Sequence, residues 1–427
     1  MSISDTAPGA GTPVAYTGHY QRKENDPMDA NVTTRNAGLE DLHELLTRQQ
    51  GTKLDVVAAA PTIRAEHGRL VLADTGVPAS AEDGGAPVEG VFVPTEVCDE
   101  GIAGKLGIPI GYLRRLRGEH PDLYDANVNG WLAHLPQSRS FLVRCFTSAQ
   151  GPGIARALLS DRYGIVDNLD VLMAALDGVR RAGVAVEIDG CDLTERRMYV
   201  RIVAPQVAAL APALLAGYRS PWGGQDVGHG WSPDRVGRAA RGEGLAYAAG
   251  QEPVVFAGFE ITNSEVGNGR YSITPRLVVQ VCGNGLTITA DALRKVHVGA
   301  RLDEGVVRWS RDTERRALEL VTAQTRDAVE EFLNPGYVHA KVAAIEAKAG
   351  APVTDPAGTV ERVAASLSFS PQQQATILEH FIRGGQLTAG GIMQAVTSAA
   401  QVQADADLAH EMEAAGLKAL ELAAAAH

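Results

Sequence analysis

The stretch Val254–Ile288 reads VVFAGFEITNSEVGNGRYSITPRLVVQVCGNGLTI, and its period decides the fold. Ala257, Phe259 and Ile261 alternate with Gly258, Glu260 and Thr262. After a turn, Tyr271, Ile273, Leu277, Val279 and Val281 alternate with Ser272, Thr274, Arg276 and Gln280. A period of two over this length predicts two antiparallel strands with one buried face. Gly267-Asn268-Gly269 supplies the positive backbone angles that a hairpin turn needs. Cys282-Gly283-Asn284-Gly285 marks a second sharp turn, leading into a short third strand.

On the N-terminal side, VAVEIDG and RRMYVRIVAP predict a further hairpin closed by Pro205, with a small apolar helix over 206–217. Before them come a strand at 140–147 and a helix in which Asn168 is placed to cap and Leu169, Leu172, Met173 and Leu176 form the apolar stripe. Gly183 stops that helix. Residues 53–74 read as strands around a His67-Gly68 turn, and 94–131 as three helices. From Ser310 the pattern is helical to the end, with Asn334-Pro335 as one cap and Ser370-Pro371 with Gln373 as a capping box. The expected class is α+β: an antiparallel sheet core with a mixed N-terminal region and a helical C-terminal region. The expected divisions are a polar, disordered tail over 1–37, a largely helical mixed region over 38–136, the α+β core over 137–309 and the helical region over 310–427.

Charge is unevenly spread along the 427 residues, whose net charge is −12. Residues 1–100 hold 7 Lys and Arg against 16 Asp and Glu, and residues 351–427 hold 3 against 8. The stretch between is close to neutral, and its basic residues are nearly all arginine. Acidic flanks around an arginine-bearing middle fit an anionic partner held by the middle alone. Four widely spaced cysteines without a C-x-x-C pair suit a reducing, cytoplasmic setting. The chain lacks a run of about 18 apolar residues, and its first 30 residues lack the basic start and apolar stretch of a secretory signal, so no membrane partner is expected.

The familiar catalytic signatures are missing. Gly104-Lys105 runs into Leu106 without the upstream glycine of a phosphate loop, and neither a dinucleotide fingerprint, H-E-x-x-H, nor G-x-S-x-G occurs. Neither a cofactor nor a metal is expected. A metal-dependent nuclease or nucleotide-modifying enzyme is the competing class, with Asp161, Asp167, Glu187 and Asp189 as the acids that would have to converge. A host-interaction protein acting through the acidic ends is a third. The segment from Ile102 to Arg117 is similar to a helix-turn-helix whose second helix would present Arg114, Arg115 and Arg117, although an ordinary helical hairpin has the same pattern.

Five pieces taken together resemble a known family. They are Arg156-Ala157-Leu158-Leu159-Ser160-Asp161-Arg162-Tyr163, then Asp167-Asn168, Thr262-Asn263-Ser264-Glu265-Val266-Gly267, Val281-Cys282-Gly283-Asn284-Gly285-Leu286 and Lys295-Val296-His297-Val298-Gly299. Their order and spacing resemble a phage- and plasmid-associated family known only as a domain of unknown function, number nine-three-two. The resemblance spans about 90 to 420 and departs from the family at Gly283. It implies a mobile-element setting and carries over no catalytic residue.

The nucleic-acid reading gathers the most residues. Single strands are bound by an arginine-lined groove with aromatic platforms for the bases. Residues 218–252 interleave Trp222 and Trp231 with Arg219, Arg235, Arg238 and Arg241 in a glycine-rich background. Arg270, Arg276, Arg294, Lys295 and His297 could extend the groove. The expectation is a non-enzymatic, cytoplasmic protein of a phage, prophage or plasmid, binding single-stranded DNA or recombination intermediates as a homo-oligomer. Its order of elements is similar to that of phage single-strand annealing proteins, an analogy of fold order alone.

Overall fold

Two sheets and a C-terminal helical bundle make up the computed structural model, which describes residues 32–78, 88–215, 218, 254–279, 285–287, 293–294 and 311–425. The N-terminal elements are β1 (Thr34–Ala37), α1 (Leu39–Thr52), β2 (Lys53–Ala59), β3 (Ile63–Glu66), β4 (Arg69–Pro78), β5 (Val88–Pro94), α2 (Glu96–Leu106), α3 (Ile110–Glu119) and α4 (Pro121–His134). The middle of the chain contributes β6 (Ser140–Phe146), β7 (Gly153–Ser160), α5 (Asn168–Ala182), β8 (Glu187–Leu193), β9 (Met198–Leu210) and α6 (Pro212–Leu215). Then follow β10 (Val254–Asn263), β11 (Ser272–Val279), β12 (Gly285–Thr287) and β13 (Leu293–Arg294). The bundle consists of α7 (Arg311–Phe332), α8 (Pro335–Ala349), α9 (Pro356–Ser366), α10 (Pro371–Gly384), α11 (Ala389–Gln401) and α12 (Ala406–Ala424). The α+β class with a helical C-terminal region is thus observed. Residues 1–31 of the expected tail lie outside the described residues, as does the expected cap Ser310, but the tail's last residues are not disordered: Thr34–Ala37 form β1, paired with β8.

The first sheet is antiparallel, in the order β1-β8-β9-β10-β11-β12, with β13 also on β11. The hairpin read from the sequence is present: Ala257 faces Leu277, Phe259 faces Pro275 and Ile261 faces Ile273. One side of the sheet carries Val200, Ile202, Phe259, Ile261 and Ile273, all within the main apolar core. Helices α5 and α7 pack together and both touch β10, on the side where Val171, Leu172, Val321 and Val329 join that core. The other side departs from expectation. Glu260 and Arg276 alternate with the apolar residues as a wet face would, yet both are buried. Helix α12 brings His410 and Glu413 to this side with complementary charge.

Strand β9 runs through Pro205 to Leu210 instead of stopping at the proline. The register on β10 slips between Phe256 and Ala257, whose partners are Ala208 and Ala204, so Pro205 falls in a bulge where no ladder donor is required. The expected helix over 206–217 is accordingly reduced to the single turn α6. In α5 the cap position belongs to Asp167, and Asn168 is the first helical residue. The inward stripe is Val171, Leu172, Ala175 and Val179, leaving Met173 about half exposed.

The second sheet pairs β2-β6-β7-β5-β4-β3 and has a further pairing of β2 with β4. Val56 faces Pro78 and Val57 faces Val77, which closes β2, β6, β7, β5 and β4 into a ring. Numbering these five in chain order gives 1-2-3-5-4-1, with the third (β5) and fifth (β7) parallel and helices α2 to α4 inserted between the third and fourth. This is the connectivity of the five-stranded Greek-key barrel called the OB-fold. Val56, Leu70, Leu72, Phe92, Val143 and Cys145 share a core with Ile102, Leu113, Tyr124 and Val128 of the inserted helices. Strands β6 and β7 therefore complete the N-terminal barrel, and the break expected at 136/137 falls inside it.

Candidate nucleic-acid interface

The hairpin turn between β10 and β11 is built from inside. Gly267 has φ +86°, and the Ser264 hydroxyl accepts a bond from the Asn268 amide at 3.0 Å. Arg197, in the turn between β8 and β9, donates from Nε to the Asn268 carbonyl at 2.7 Å. These contacts fix the chain that carries Arg270, which is exposed. Strand β13 brings Arg294 opposite Ser272, two residues beyond Arg270. Arg162, exposed, precedes Tyr163, whose hydroxyl reaches the Ser264 carbonyl at 3.5 Å. One end of the sheet thus collects Arg197 and Arg270, with the backbone of Arg294 alongside, and Tyr163 ties the segment that carries Arg162 to the same turn. Among the described residues no carboxylate pairs with Arg162 or Arg270. An unpaired, exposed guanidinium offers a planar fork of donors suited to phosphate.

Arg276 takes no part in this end. It is buried, its Nε 2.6 Å from Glu413 and a terminal nitrogen 2.7 Å from Asp189. Both carboxylates hold its proton more firmly than usual against the cost of burial. Its charge is neutralised inside the protein and unavailable to a phosphate. Arg219, Trp222, Trp231, Arg235, Arg238, Arg241, Lys295 and His297 lie outside the described residues.

Beneath the turn lies a buried charge network that joins the barrel to the first sheet. Arg144 on β6 is fully buried. It forms a two-pronged pair with Asp55 on β2 at 2.9 and 3.1 Å, reaches Asp167 at 2.6 Å and donates to the Glu265 carbonyl at 2.5 Å. Lys53 holds the second oxygen of Asp167 at 2.5 Å. The Glu265 side chain pairs with Arg156 and accepts the Asn168 amide at 2.8 Å. Arg156 also lies over the Phe146 ring, 4.1 Å from its centre. Burial works against the Asp167 anion, but Arg144 and Lys53 outweigh it and hold its pKa at about 2. Because that carboxylate is committed sideways, it makes no hydrogen bond to the amides of α5.

Three of the five sequence pieces singled out above, those containing Arg156, Asp167-Asn168 and Glu265, meet in this network. Lys53, Asp55 and Arg144 escaped notice in the sequence. The available signal was a single charge inside an apolar run: Asp55 in LDVVAA and Arg144 in FLVRCF.

Of the two readings of 102–117, the structure bears on the DNA-reading helix by engaging its arginines. Arg114 bonds Glu100 at 2.9 Å, and Arg117 pairs with the buried Asp99 at 2.7 Å. Only Arg115 points outward, and it pairs with Glu119 at 2.8 Å. Helices α2 and α3 therefore form a cross-braced helical hairpin. The four acids proposed for a nuclease are dispersed: Asp161 accepts from Ser140 at 2.6 Å, Asp167 and Asp189 bind arginines, and Glu187 starts β8. Among the described residues, no three His, Cys, Asp or Glu side chains are grouped to hold a metal ion, and no helix is long and apolar enough to cross a membrane.

No family model, curated protein or solved structure matches the chain.

Proposed function

We propose that this protein binds single-stranded nucleic acid, acting on single strands or recombination intermediates of a phage, prophage or plasmid. The observation that carries the reading is the hairpin end of the first sheet, where Arg270 is exposed without a carboxylate partner among the described residues and follows the turn that Arg197 braces, close to β13. The sequence adds Arg219, Arg235, Arg238 and Arg241 with Trp222 and Trp231, which supply charge and stacking surface. The mobile-element setting rests on the family resemblance alone. Oligomerisation belongs to the same proposal and is read directly by light scattering.

The barrel lends weaker support. Barrels of this connectivity bind oligonucleotides or oligosaccharides on the face of their second and third strands, but function does not follow from fold. Here those strands are β4 and β5. Their outer face offers Val71 and Val91 beside Arg69 and Glu89, with Arg64 and Glu66 on β3. Mixed charge without an aromatic ring among these residues is a poor base platform, so the hairpin end is the site tested.

Fluorescence anisotropy with labelled oligonucleotides over a salt series tests the proposal. Binding should weaken steeply with salt. Arg270→Ala should lower the logarithmic salt slope by about 0.7, the loss of one phosphate contact on a single strand. Replacing Arg235, Arg238 and Arg241 by Ala should lower it further, whereas Val91→Glu should leave it unchanged. Absence of binding at low salt, or slopes insensitive to all these arginines, overturns the proposal.

A further inference from the structure

The covered face of the first sheet holds a histidine in an unusual setting. His410 on α12 is buried. Its Nδ1 lies 2.7 Å from Glu260 on β10, and its Nε2 lies 3.0 Å from Asp192 on β8. Only the Asp192 contact is aligned as a hydrogen bond, and Glu260 Oε2 is buried without one, so what the ring supplies to Glu260 is charge: the imidazolium is a counter-ion to both carboxylates and the neutral imidazole to neither. The ring stacks flat on Tyr199 of β9 at 3.7 Å. Tyr199 in turn donates to Asp407 on α12 at 2.7 Å. Arg201 on β9 approaches Nε2 at 3.3 Å and shares Asp192 at 2.5 Å, and Arg35 on β1 binds the same carboxylate at 2.6 Å. Glu413, one turn along α12, engages Arg276 of β11 together with Asp189 of β8.

We propose that His410 is a pH-sensitive latch, holding the C-terminal helix on the sheet as an imidazolium and releasing its grip when it loses its proton. The groups facing it are Arg35, Arg201 and Arg276 on one side of the balance. On the other are Asp189, Asp192, Glu260, Asp407 and Glu413. Removal of the ring charge widens an existing excess of anions. It falls hardest on Glu260, for which His410 is the only cationic partner among the described residues. A buried carboxylate stripped of its partner is strongly unfavourable. The geometry agrees with the direction of titration: burial disfavours the charged ring, but Glu260 and Asp192 outweigh it and hold its pKa above the ordinary value. With the folded pKa raised, the stabilisation is complete below the unfolded value, near 6.5, and is lost as pH rises through the folded value. This inference is independent of the nucleic-acid proposal.

Hydrogen exchange of the full chain, followed by mass spectrometry from pH 6 to 9, tests it. Opening of 406–416, corrected for intrinsic base catalysis and referenced to β6, should rise up to about tenfold per pH unit between the ordinary and the folded pKa. Glu260→Gln should narrow that window and His410→Gln should abolish the rise. A flat wild-type profile, or an equal rise in His410→Gln, overturns the latch. Should the variants fail to fold, the imidazole of the wild type, labelled and titrated by nuclear magnetic resonance, decides. A pKa above the ordinary value supports the latch and one at or below it overturns it.

Discussion

Arg144 is the residue on which the joint between barrel and sheet depends. Its guanidinium serves Asp55, Asp167 and the Glu265 carbonyl with no exposure to solvent. Breaking such a pair from one side leaves buried charge without compensation, which costs far more than the pair itself contributes. Arg144→Met should destabilise the protein by about 3–5 kcal/mol in urea unfolding. Adding Asp55→Asn should recover part of that loss, because the two substitutions remove one shared interaction. Arg276→Ala should behave in the same manner, lowering stability, in contrast to Arg270→Ala, which should alter binding alone. The two arginines look alike in sequence, six positions apart on the same hairpin. They differ because Glu413, the acid that claims Arg276, lies 137 residues further on. A pairing at that separation leaves no trace in local pattern, so exposure of an arginine was not legible where exposure of the turn was.

At the scale of elements, most strands and helices could be read, since they obey periods and caps that are local. Ser370 with Gln373 forms the expected reciprocal cap, and Asn334 accepts the amides of Gly336 and Tyr337. The choice of partner is another matter. Strands β6 and β7 are largely buried apolar runs that either sheet could take in, yet they close the barrel, and nothing in their local sequence distinguishes the two destinations. Helix packing shows the same limit at Gly178. It interrupts α5 where a residue with better helical propensity would be expected. In the structure a side chain there would sit 2.5 Å from the Thr322 carbonyl and 2.6 Å from Thr325 Cβ on α7. The glycine lets the two helices meet backbone to backbone. Gly178→Ala should therefore force them apart in spite of alanine's helical propensity, at a cost of about 1–3 kcal/mol. Loss of thermal stability without loss of helical circular dichroism at low temperature would establish this. A stabilised variant would show that the contact is looser than the structure indicates.

For the whole molecule, the ion networks set how stability varies with pH on both sides of neutrality. Glu413 and Asp167 are both disfavoured as anions by burial. Arg276 and Arg144 respectively outweigh that penalty and bring each carboxyl to about 2, from ordinary values of 4.5 and 3.8. With folded pKa values depressed, the stabilisation is present above the ordinary values and disappears as pH falls towards about 2. Each site contributes on the order of 2–3 kcal/mol to that loss. Since one network joins barrel to sheet and the other joins sheet to α12, acid should weaken both joints together. Urea midpoints taken from pH 7 down to pH 2 should fall most steeply below about 4.5. Glu413→Gln should start lower at pH 7 and fall less, because its side chain no longer titrates. An equal fall in that variant would mean that the acid sensitivity arises elsewhere. On the alkaline side His410 imposes the opposite slope, so stability should peak between the two. The acidic flanks and arginine-bearing middle seen in the sequence contribute to this directly: from the C-terminal flank Glu413 folds back onto Arg276 of the sheet, and from the N-terminal flank Asp55 folds onto Arg144, so acids and arginines far apart along the chain neutralise one another in space.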